Sequence, residues 1–98
     1  MPGAVSVRSS ERYNLLIARP AVKALSDVLP EKVAHAAYEF VTGPLLENPQ
    51  RVGKPLGTPL APAYSARRGD YRVLYFIDDA TRTVTVTAIR HRADAYRS

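Results

Sequence analysis

A short segment at positions 67–72, with the sequence RRGDYR, concentrates three arginines and a tyrosine around a glycine. Glycine followed by aspartate is typical of a turn, so these side chains are expected where one strand ends and the next begins. An arginine that projects from a sheet beside apolar residues such as Leu74 must pair with a carboxylate or bind an anion, because burying an unpaired charge costs several kcal/mol. Arg72 is therefore a candidate phosphate-binding residue. The alternative is that it pairs with Asp70 or Asp94.

A second segment at positions 90–97, with the sequence RHRADAYR, combines histidine, arginine and tyrosine. Cleavage of RNA by its own 2′-hydroxyl needs a proton acceptor, cations that stabilise charge on the phosphate oxygens, and a donor to the leaving 5′-oxygen. These residue types can supply all three, and a tyrosine ring can also stack on an unpaired base. The alternative is a solvated basic tail in which Tyr96 packs as an anchor.

Two further patterns resemble ligand sites without meeting their requirements. Glu31, His35 and Glu39 lie four residues apart on a predicted helix, but on the face opposite its apolar stripe, which is typical of a solvated surface. Residues 52–57 (VGKPLG) lack the Gly-Lys-Ser/Thr ending of a phosphate loop and enter no helix. We therefore expect no metal site and no cofactor.

The charge is unevenly distributed along the chain. Before Arg51, five cations balance five carboxylates, whereas from Arg51 onward nine cations face four carboxylates, which accounts for the whole net charge of +5. Eight of those nine cations are arginines, whose planar guanidinium matches phosphate oxygens and stacks on bases. The second half of the chain therefore favours a nucleic acid as partner.

Composition also indicates where the protein works. With no cysteine there is neither a disulfide framework nor a thiolate site, which agrees with a reducing compartment. The longest apolar runs fall far short of the roughly 20 residues that span a bilayer, and the N-terminus lacks the apolar segment of a signal peptide. We expect a cytoplasmic protein with no membrane partner.

The hydrophobic pattern predicts a strand, two helices and then three strands. Residues 1–12 are expected to form a flexible tail before a single domain at 13–98. Residues 45–62 are rich in proline and glycine, which predicts a long ordered loop. The expected fold is α+β, with a helical hairpin on one face of a curved antiparallel sheet of about four strands. The predicted elements are a strand at 13–18, helices at 20–29 and 30–41, and strands at 64–68, 70–77 and 83–90.

The alternation of side chains indicates which strand is central and which residues share a face. Both faces of the strand at 70–77 carry apolar residues, so it should be the central strand. Arg67 and Arg68 must point to opposite faces of the preceding strand, so only one of them can join a site with Arg72. Arg67 shares the parity of Ser65, and the other arginine is expected to be solvated.

The segments at 52–56, 65–75, 91–92 and 96–97 (VGKPL, SARRGDYRVLY, HR and YR) together resemble RelE-type toxins of bacterial toxin–antitoxin pairs, especially the actinobacterial kind. The resemblance covers roughly residues 13–97. It implies a metal-independent endoribonuclease that cuts messenger RNA in the ribosomal A site and is held inactive by a cognate RelB-like antitoxin. The implied partners are that antitoxin, messenger RNA and the ribosome with its 16S rRNA, and DNA only indirectly, through the antitoxin complex.

The resemblance also implies residue roles. Arg72 resembles the family arginine that stabilises the transition-state phosphate, Arg92 the arginine that assists the leaving group, and Tyr96 the tyrosine that stacks on the scissile nucleotide. Arg67 resembles the second of two basic residues on the preceding strand. A two-residue slip in the alignment would make Arg90, rather than Arg92, the active-site arginine. The expected RNA or phosphate contacts are Arg67, Arg68, Lys54 and Arg90.

The sequence departs from the family pattern at one position. Where relatives draw their general base from a lysine, this chain has Ser65. His91 is the best substitute on intrinsic pKa grounds, because histidine titrates closest to neutral pH.

Two rival functions share the expected fold. A ParE-like toxin inhibits DNA gyrase instead of cutting RNA, and fold alone cannot separate the two. A non-catalytic relative that only binds an antitoxin is the other alternative. The arginines around Gly69, together with Tyr96 after His91 and Arg92, favour the nuclease.

Overall fold

The computed structural model describes residues 12–57 and 63–91. Its elements are β1 (Asn14–Ile17), α1 (Arg19–Lys23) with a π-helical continuation (Ala24–Val28), α2 (Glu31–Thr42), α3 (Pro44–Glu47), α4 (Pro49–Val52), β2 (Lys54–Pro55), β3 (Ala63–Arg68), β4 (Tyr71–Asp78) and β5 (Thr83–His91).

The predicted tail at residues 1–12 lies outside the described residues except for Arg12. The Arg12 guanidinium forms an ion pair of 3.0 Å with the carboxylate of Glu47 on α3. Within residues 12–57 and 63–91, no helix is long and apolar enough to cross a bilayer.

The strands form one sheet in the order β1-β5-β4-β3-β2. The predicted α+β architecture is confirmed, with the helices packed on one face of the sheet and β4 at its centre. Two details of the prediction are wrong: β2 adds a fifth strand, and β1 runs parallel to β5, so the sheet is mixed. Parallel pairing is possible because the helices and three strands separate β1 from β5, which leaves ample chain for a crossover.

The two long helical segments form the expected hairpin, and prolines bound them. Pro20 lies in the first turn of α1, where its fixed dihedral suits a helix. The backbone is extended at Leu29, immediately before Pro30, because a residue that precedes proline avoids the helical region. The apolar face of α2 packs against the core and buries Ala37, Phe40 and Val41.

The segment 45–57 was predicted to be loop, and that prediction is wrong. It forms α3, α4 and β2, and both short helices begin with a proline, at Pro44 and Pro49. Proline breaks a helix interior but fits a first turn, so these residues start helical turns instead of preventing them. Residues 58–62 of the predicted loop lie outside the described residues.

A β-bulge in β5 decides which of its side chains face the helices. The register shifts between Leu74 and Tyr75 of β4, so Thr87 of β5 has no partner residue there. The Thr87 hydroxyl donates to the Leu74 carbonyl oxygen at 3.2 Å. Because the bulge inserts one residue, even-numbered residues face the core before it and odd-numbered residues after it. This change of phase is seen in the buried side chains of Val84, Val86 and Ile89.

Candidate functional site

Three arginines lie side by side across three adjacent strands. Arg67 on β3 pairs with Arg72 on β4, and Arg72 pairs with Arg90 on β5. Their sequence neighbours Ala66 and Val73 are buried on the helix side, so the three arginines project from the opposite, open face of the sheet. Side chains directly opposite in antiparallel strands have Cβ atoms about 4.5–5.5 Å apart. We call Arg67, Arg72 and Arg90 the arginine row.

The positive charges of such a row repel each other, and a bound anion would relieve the repulsion. Like charges directly opposite on neighbouring strands repel each other and destabilise the sheet. The described residues form two ion pairs, Arg12–Glu47 and His35–Glu39, and neither includes an arginine of the row. All three arginines are exposed residues, so a polyanionic ligand can reach them. The arrangement is suited to phosphate oxygens, which accept from several guanidinium groups at once.

Lys54 extends this cationic surface onto the edge strand. Lys54 on β2 pairs with Ser65 on β3, and Ser65 is two residues before Arg67 on the same face. The lysine is exposed, and its diagonal position sets its Cα about 7–8 Å from that of Arg67. The open face therefore brings together four of the eight predicted site residues: Lys54, Arg67, Arg72 and Arg90.

Arg68 lies on the other side of the sheet. Its guanidinium carbon is 4.8 Å from the ring centroid of Phe40, a cation–π contact with α2. The alternation that brings Arg67 to the open face therefore turns Arg68 towards the helices. The structure therefore does not bring Arg68 to the arginine row, although the sequence predicted it among the RNA contacts.

His91 also lies on the helix side. It pairs with Tyr71, whose side chain is in the core and whose hydroxyl donates to the Ala36 carbonyl oxygen at 3.3 Å. Burial raises the pKa of the Tyr71 phenol, and the charge of Arg68 partly offsets the rise. Because paired residues share a face, the register directs His91 away from the arginine row. Its expected role as the substitute base therefore has no support from the geometry.

Two of the predicted site residues, Arg92 and Tyr96, lie outside the described residues. So does Asp94, one of the two carboxylates considered as a partner of Arg72. The last described residue of β5 is His91, adjacent to Arg90 of the row. The family resemblance allowed either Arg90 or Arg92 as the active-site arginine of this segment. The structure describes only Arg90, and Arg90 lies beside Arg72.

One packing arrangement that supports the site is not predicted by any sequence motif. The Tyr75 hydroxyl is buried and donates to the Pro49 carbonyl oxygen at 2.6 Å. Burial, reinforced by the neighbouring Tyr64, raises the pKa of this phenol to about 12. A methyl group at Gly53 would overlap the Tyr75 hydroxyl and lie 2.9 Å from the Ser65 carbonyl oxygen. Glycine therefore lets the chain pass close to the sheet, which sets Lys54 beside Ser65.

The pattern at Glu31, His35 and Glu39 is a surface feature. The imidazole of His35 contacts the carboxylate of Glu39 at 3.1 Å, and both side chains are well exposed. Among residues 12–57 and 63–91, no group of three or more potential metal ligands is present.

Comparison with known proteins assigns the family. A family model described as the ParE toxin of the type II toxin–antitoxin system parDE matches residues 16–96. Toxin RelE of Mycobacterium tuberculosis is 51% identical over 85 residues, which is 87% of each chain. The chain belongs to the RelE-type toxins of the RelE/ParE superfamily.

Solved structures of RelE-type proteins share the fold. A chain of the toxin–antitoxin complex RelBE2 from Mycobacterium tuberculosis superposes with a TM-score of 0.79 at 43% identity, covering 83% of this chain and 99% of that one. A chain of the archaeal RelE–RelB complex from Pyrococcus horikoshii gives a TM-score of 0.65 at 27% identity, covering 89% and 99%. This RelE-type chain is thus a type II toxin–antitoxin toxin whose open sheet face carries the arginine row.

Proposed function

We propose that this toxin is a ribosome-dependent endonuclease that cuts messenger RNA in the A site without a metal ion. The observation that carries the proposal is the arginine row on an exposed sheet face. A single-stranded RNA backbone offers one phosphate per nucleotide, and three adjacent guanidinium groups can surround one of them.

In the proposed reaction the RNA supplies its own nucleophile. The 2′-oxygen attacks the adjacent phosphorus, the bond from phosphorus to the 5′-oxygen breaks, and the products end in a 2′,3′-cyclic phosphate and a 5′-hydroxyl. Negative charge grows on the phosphate oxygens during this step. Arg72, between Arg67 and Arg90, would stabilise that charge, and removing one such donor typically slows catalysis about 10²- to 10³-fold.

The proposed proton acceptor is Lys54. Relatives are expected to use a lysine at the position of Ser65, and Lys54 is the residue paired with that serine on the same face. In its neutral form the amine can take the proton of the 2′-hydroxyl beside the arginine row. Arg92 as the donor to the leaving 5′-oxygen and Tyr96 as the base-stacking ring complete the proposal from the family resemblance.

The proposed protein partner is a cognate RelB-like antitoxin. Two of the similar structures are complexes of a RelE toxin with its antitoxin. The helices of this chain expose apolar side chains at Val22, Val28 and Tyr38, which an amphipathic antitoxin segment would cover. An acidic segment would also neutralise the cationic sheet face. Contact with operator DNA would then be made through the antitoxin.

Primer extension on a defined messenger RNA, with and without programmed ribosomes, tests the nuclease. We expect cleavage only with ribosomes, and a loss of about 10²-fold or more in Arg72→Ala and Arg90→Ala. Arg68→Ala is the matched control, because it removes an arginine from the same hairpin but from the other face, and it should cleave at the rate of the unmodified toxin. Full cleavage by Arg72→Ala would contradict the proposal.

Gyrase inhibition is the second candidate, because the matching family model is described as a ParE toxin. A supercoiling assay with purified gyrase separates the two functions. Inhibition of supercoiling together with no cleavage on ribosomes would assign the ParE-like activity. We expect the opposite result, since a relative named RelE is 51% identical.

A further inference from the structure

The open face has a second, apolar part next to the arginine row. Phe76 on β4 pairs with Ala63 on β3 and Thr85 on β5, and Thr85 pairs in turn with Leu16 on β1. Phe76 is 40% exposed and Leu16 is 58% exposed. An aromatic ring on a central strand normally packs under a second layer, but here no described element covers this face. We call Leu16 and Phe76 the apolar patch.

The apolar patch and the arginine row are joined by β4, which carries both Phe76 and Arg72. Phe76 follows Arg72 by four residues, so it projects from the same face about 13 Å further along β4. An extended RNA strand whose phosphate binds the arginine row can place a neighbouring base over the ring. Sheet surfaces with exposed aromatic residues bind single-stranded RNA in this way, because every base has a flat face that stacks regardless of sequence.

We propose that Phe76 is a stacking platform for a base of the messenger RNA, a few nucleotides from the scissile phosphate. The inference rests on the proposed nuclease function and adds a substrate-positioning contact to it. Phe76 would hold the strand in register with the arginine row and take no part in proton transfer. Leu16 would contact the edge of the same base or the adjacent sugar.

The surroundings of Phe76 favour RNA over a protein segment as the occupant. Ala63 and Thr85 are too small to cover the ring, which leaves it 40% exposed and open to a base. Thr85 separates Phe76 from Leu16. Leu74, between Phe76 and Arg72 on the same face, is only partly exposed, so the exposed apolar side chains form no unbroken stripe of the kind an amphipathic helix covers. The patch is also continuous with exposed arginines, and a ligand that carries both flat apolar bases and regularly spaced phosphates matches both parts.

The test pairs variants of Phe76 with messenger RNAs that each lack one base near the cut. On programmed ribosomes, Phe76→Ala should lower kcat/KM by about 5- to 150-fold, the equivalent of losing one stacked base. Removing the base that stacks on Phe76 should lower kcat/KM of the unmodified toxin by a similar factor. The same removal should not slow Phe76→Ala further, because the effects of removing two partners of one contact are not additive. Phe76→Trp should restore the rate. Phe76→Leu, which keeps an apolar side chain but no ring, should not.

Controls separate the possible failures. His35→Ala removes an exposed aromatic ring from α2 on the opposite side and should cleave normally. Binding of a RelB-like antitoxin and thermal unfolding confirm that the Phe76 variants are folded. If Phe76→Ala and Phe76→Leu cleave every RNA as fast as an active unmodified toxin does, the stacking inference alone is overturned. If the unmodified toxin cuts no RNA at all, the proposed nuclease and the inference fall together.

Discussion

At the scale of single residues, the structure separates side chains that look equivalent in the sequence. Arg67 and Arg68 are neighbours of identical chemistry, yet one lies in a row of exposed cations and the other stacks on Phe40. The Arg68 guanidinium therefore contacts α2, whereas Arg67 lies on the open face beside Arg72. Position on the pleated strand, more than residue type, decides the role of each arginine.

Lys54 provides the sharpest test of residue chemistry. An arginine in its place keeps the positive charge but cannot accept a proton near neutral pH, because its guanidinium stays protonated. If Lys54 is the general base, Lys54→Arg should bind ribosomes normally and cleave about 10²- to 10⁴-fold more slowly. Single-turnover cleavage rates as a function of pH would measure this. Equal rates for Lys54→Arg and the unmodified toxin would limit Lys54 to an electrostatic role.

The Tyr75 phenol should make the stability of the fold depend on pH in the alkaline range. Its pKa is raised from 10 to about 12, so the folded protein holds the phenolic proton more tightly than the unfolded chain does. The resulting stabilisation is complete below pH 10 and is lost as the pH rises towards 12. We expect the free energy of unfolding, measured by urea titration, to fall across this interval.

The variant Tyr75→Phe isolates the contribution of that hydroxyl. At neutral pH it should be less stable by about 1–3 kcal/mol, because the Pro49 carbonyl oxygen loses its buried donor. Its stability should then fall less steeply above pH 10. Tyr71, whose pKa is also raised, should account for part of the remaining slope. An unchanged slope would show that Tyr75 does not titrate in this range.

At the scale of elements, β2 depends on the space left by Gly53. Gly53→Ala should destabilise the fold by about 1–3 kcal/mol, because its methyl group must displace either the Tyr75 hydroxyl or the backbone of β3. Cleavage should fall as well, since β2 would carry Lys54 away from Ser65. Gly57→Ala is the matched control, because nothing lies within 4 Å of its added methyl group. Urea titration and the primer-extension assay measure both effects.

The bulge at Thr87 shows what alternation in the sequence can and cannot predict. On β3 and β4 the pattern is regular, so the faces of Arg67, Arg68 and Arg72 follow directly from residue parity. On β5 the same reasoning would place Arg90 with the buried valines and His91 on the open face. The bulge reverses both, because it inserts one unpaired residue. No residue type near Thr87 indicates a bulge, so the sequence alone does not reveal which face of the sheet His91 occupies.

The length and periodicity of each element decide how well the sequence predicts it. The helices and the strands β3 to β5 were predictable because their apolar residues recur at a clear period. The short helices α3 and α4 span four residues each, which is too short to show an apolar period, and the prolines and glycines around them indicate a loop. The strand β2 has only two residues and likewise shows no period. The parallel pairing of β1 with β5 joins segments at opposite ends of the described chain, and local patterns carry no information about such contacts.

At the scale of the whole molecule, charge and apolar surface divide between the two faces of the sheet. The half of the chain before Arg51 is electrically balanced, and the net charge of +5 belongs to the half that follows it. The open face of the sheet carries the arginine row and Lys54, while the helices expose apolar side chains. The two faces of the sheet are therefore chemically distinct binding surfaces, one cationic and one apolar.

This division predicts how binding of single-stranded RNA depends on salt. Each phosphate that a cation neutralises releases condensed counterions, so the logarithm of the association constant falls with the logarithm of salt concentration by about 0.7 per contact. Arg67→Ala should therefore reduce the slope by about that amount, and Arg68→Ala should leave it unchanged, although both variants lose one charge. Fluorescence anisotropy of a labelled oligonucleotide across a salt series measures the two slopes. If both variants changed the slope equally, net charge, and not the position of the arginine row, would govern RNA binding.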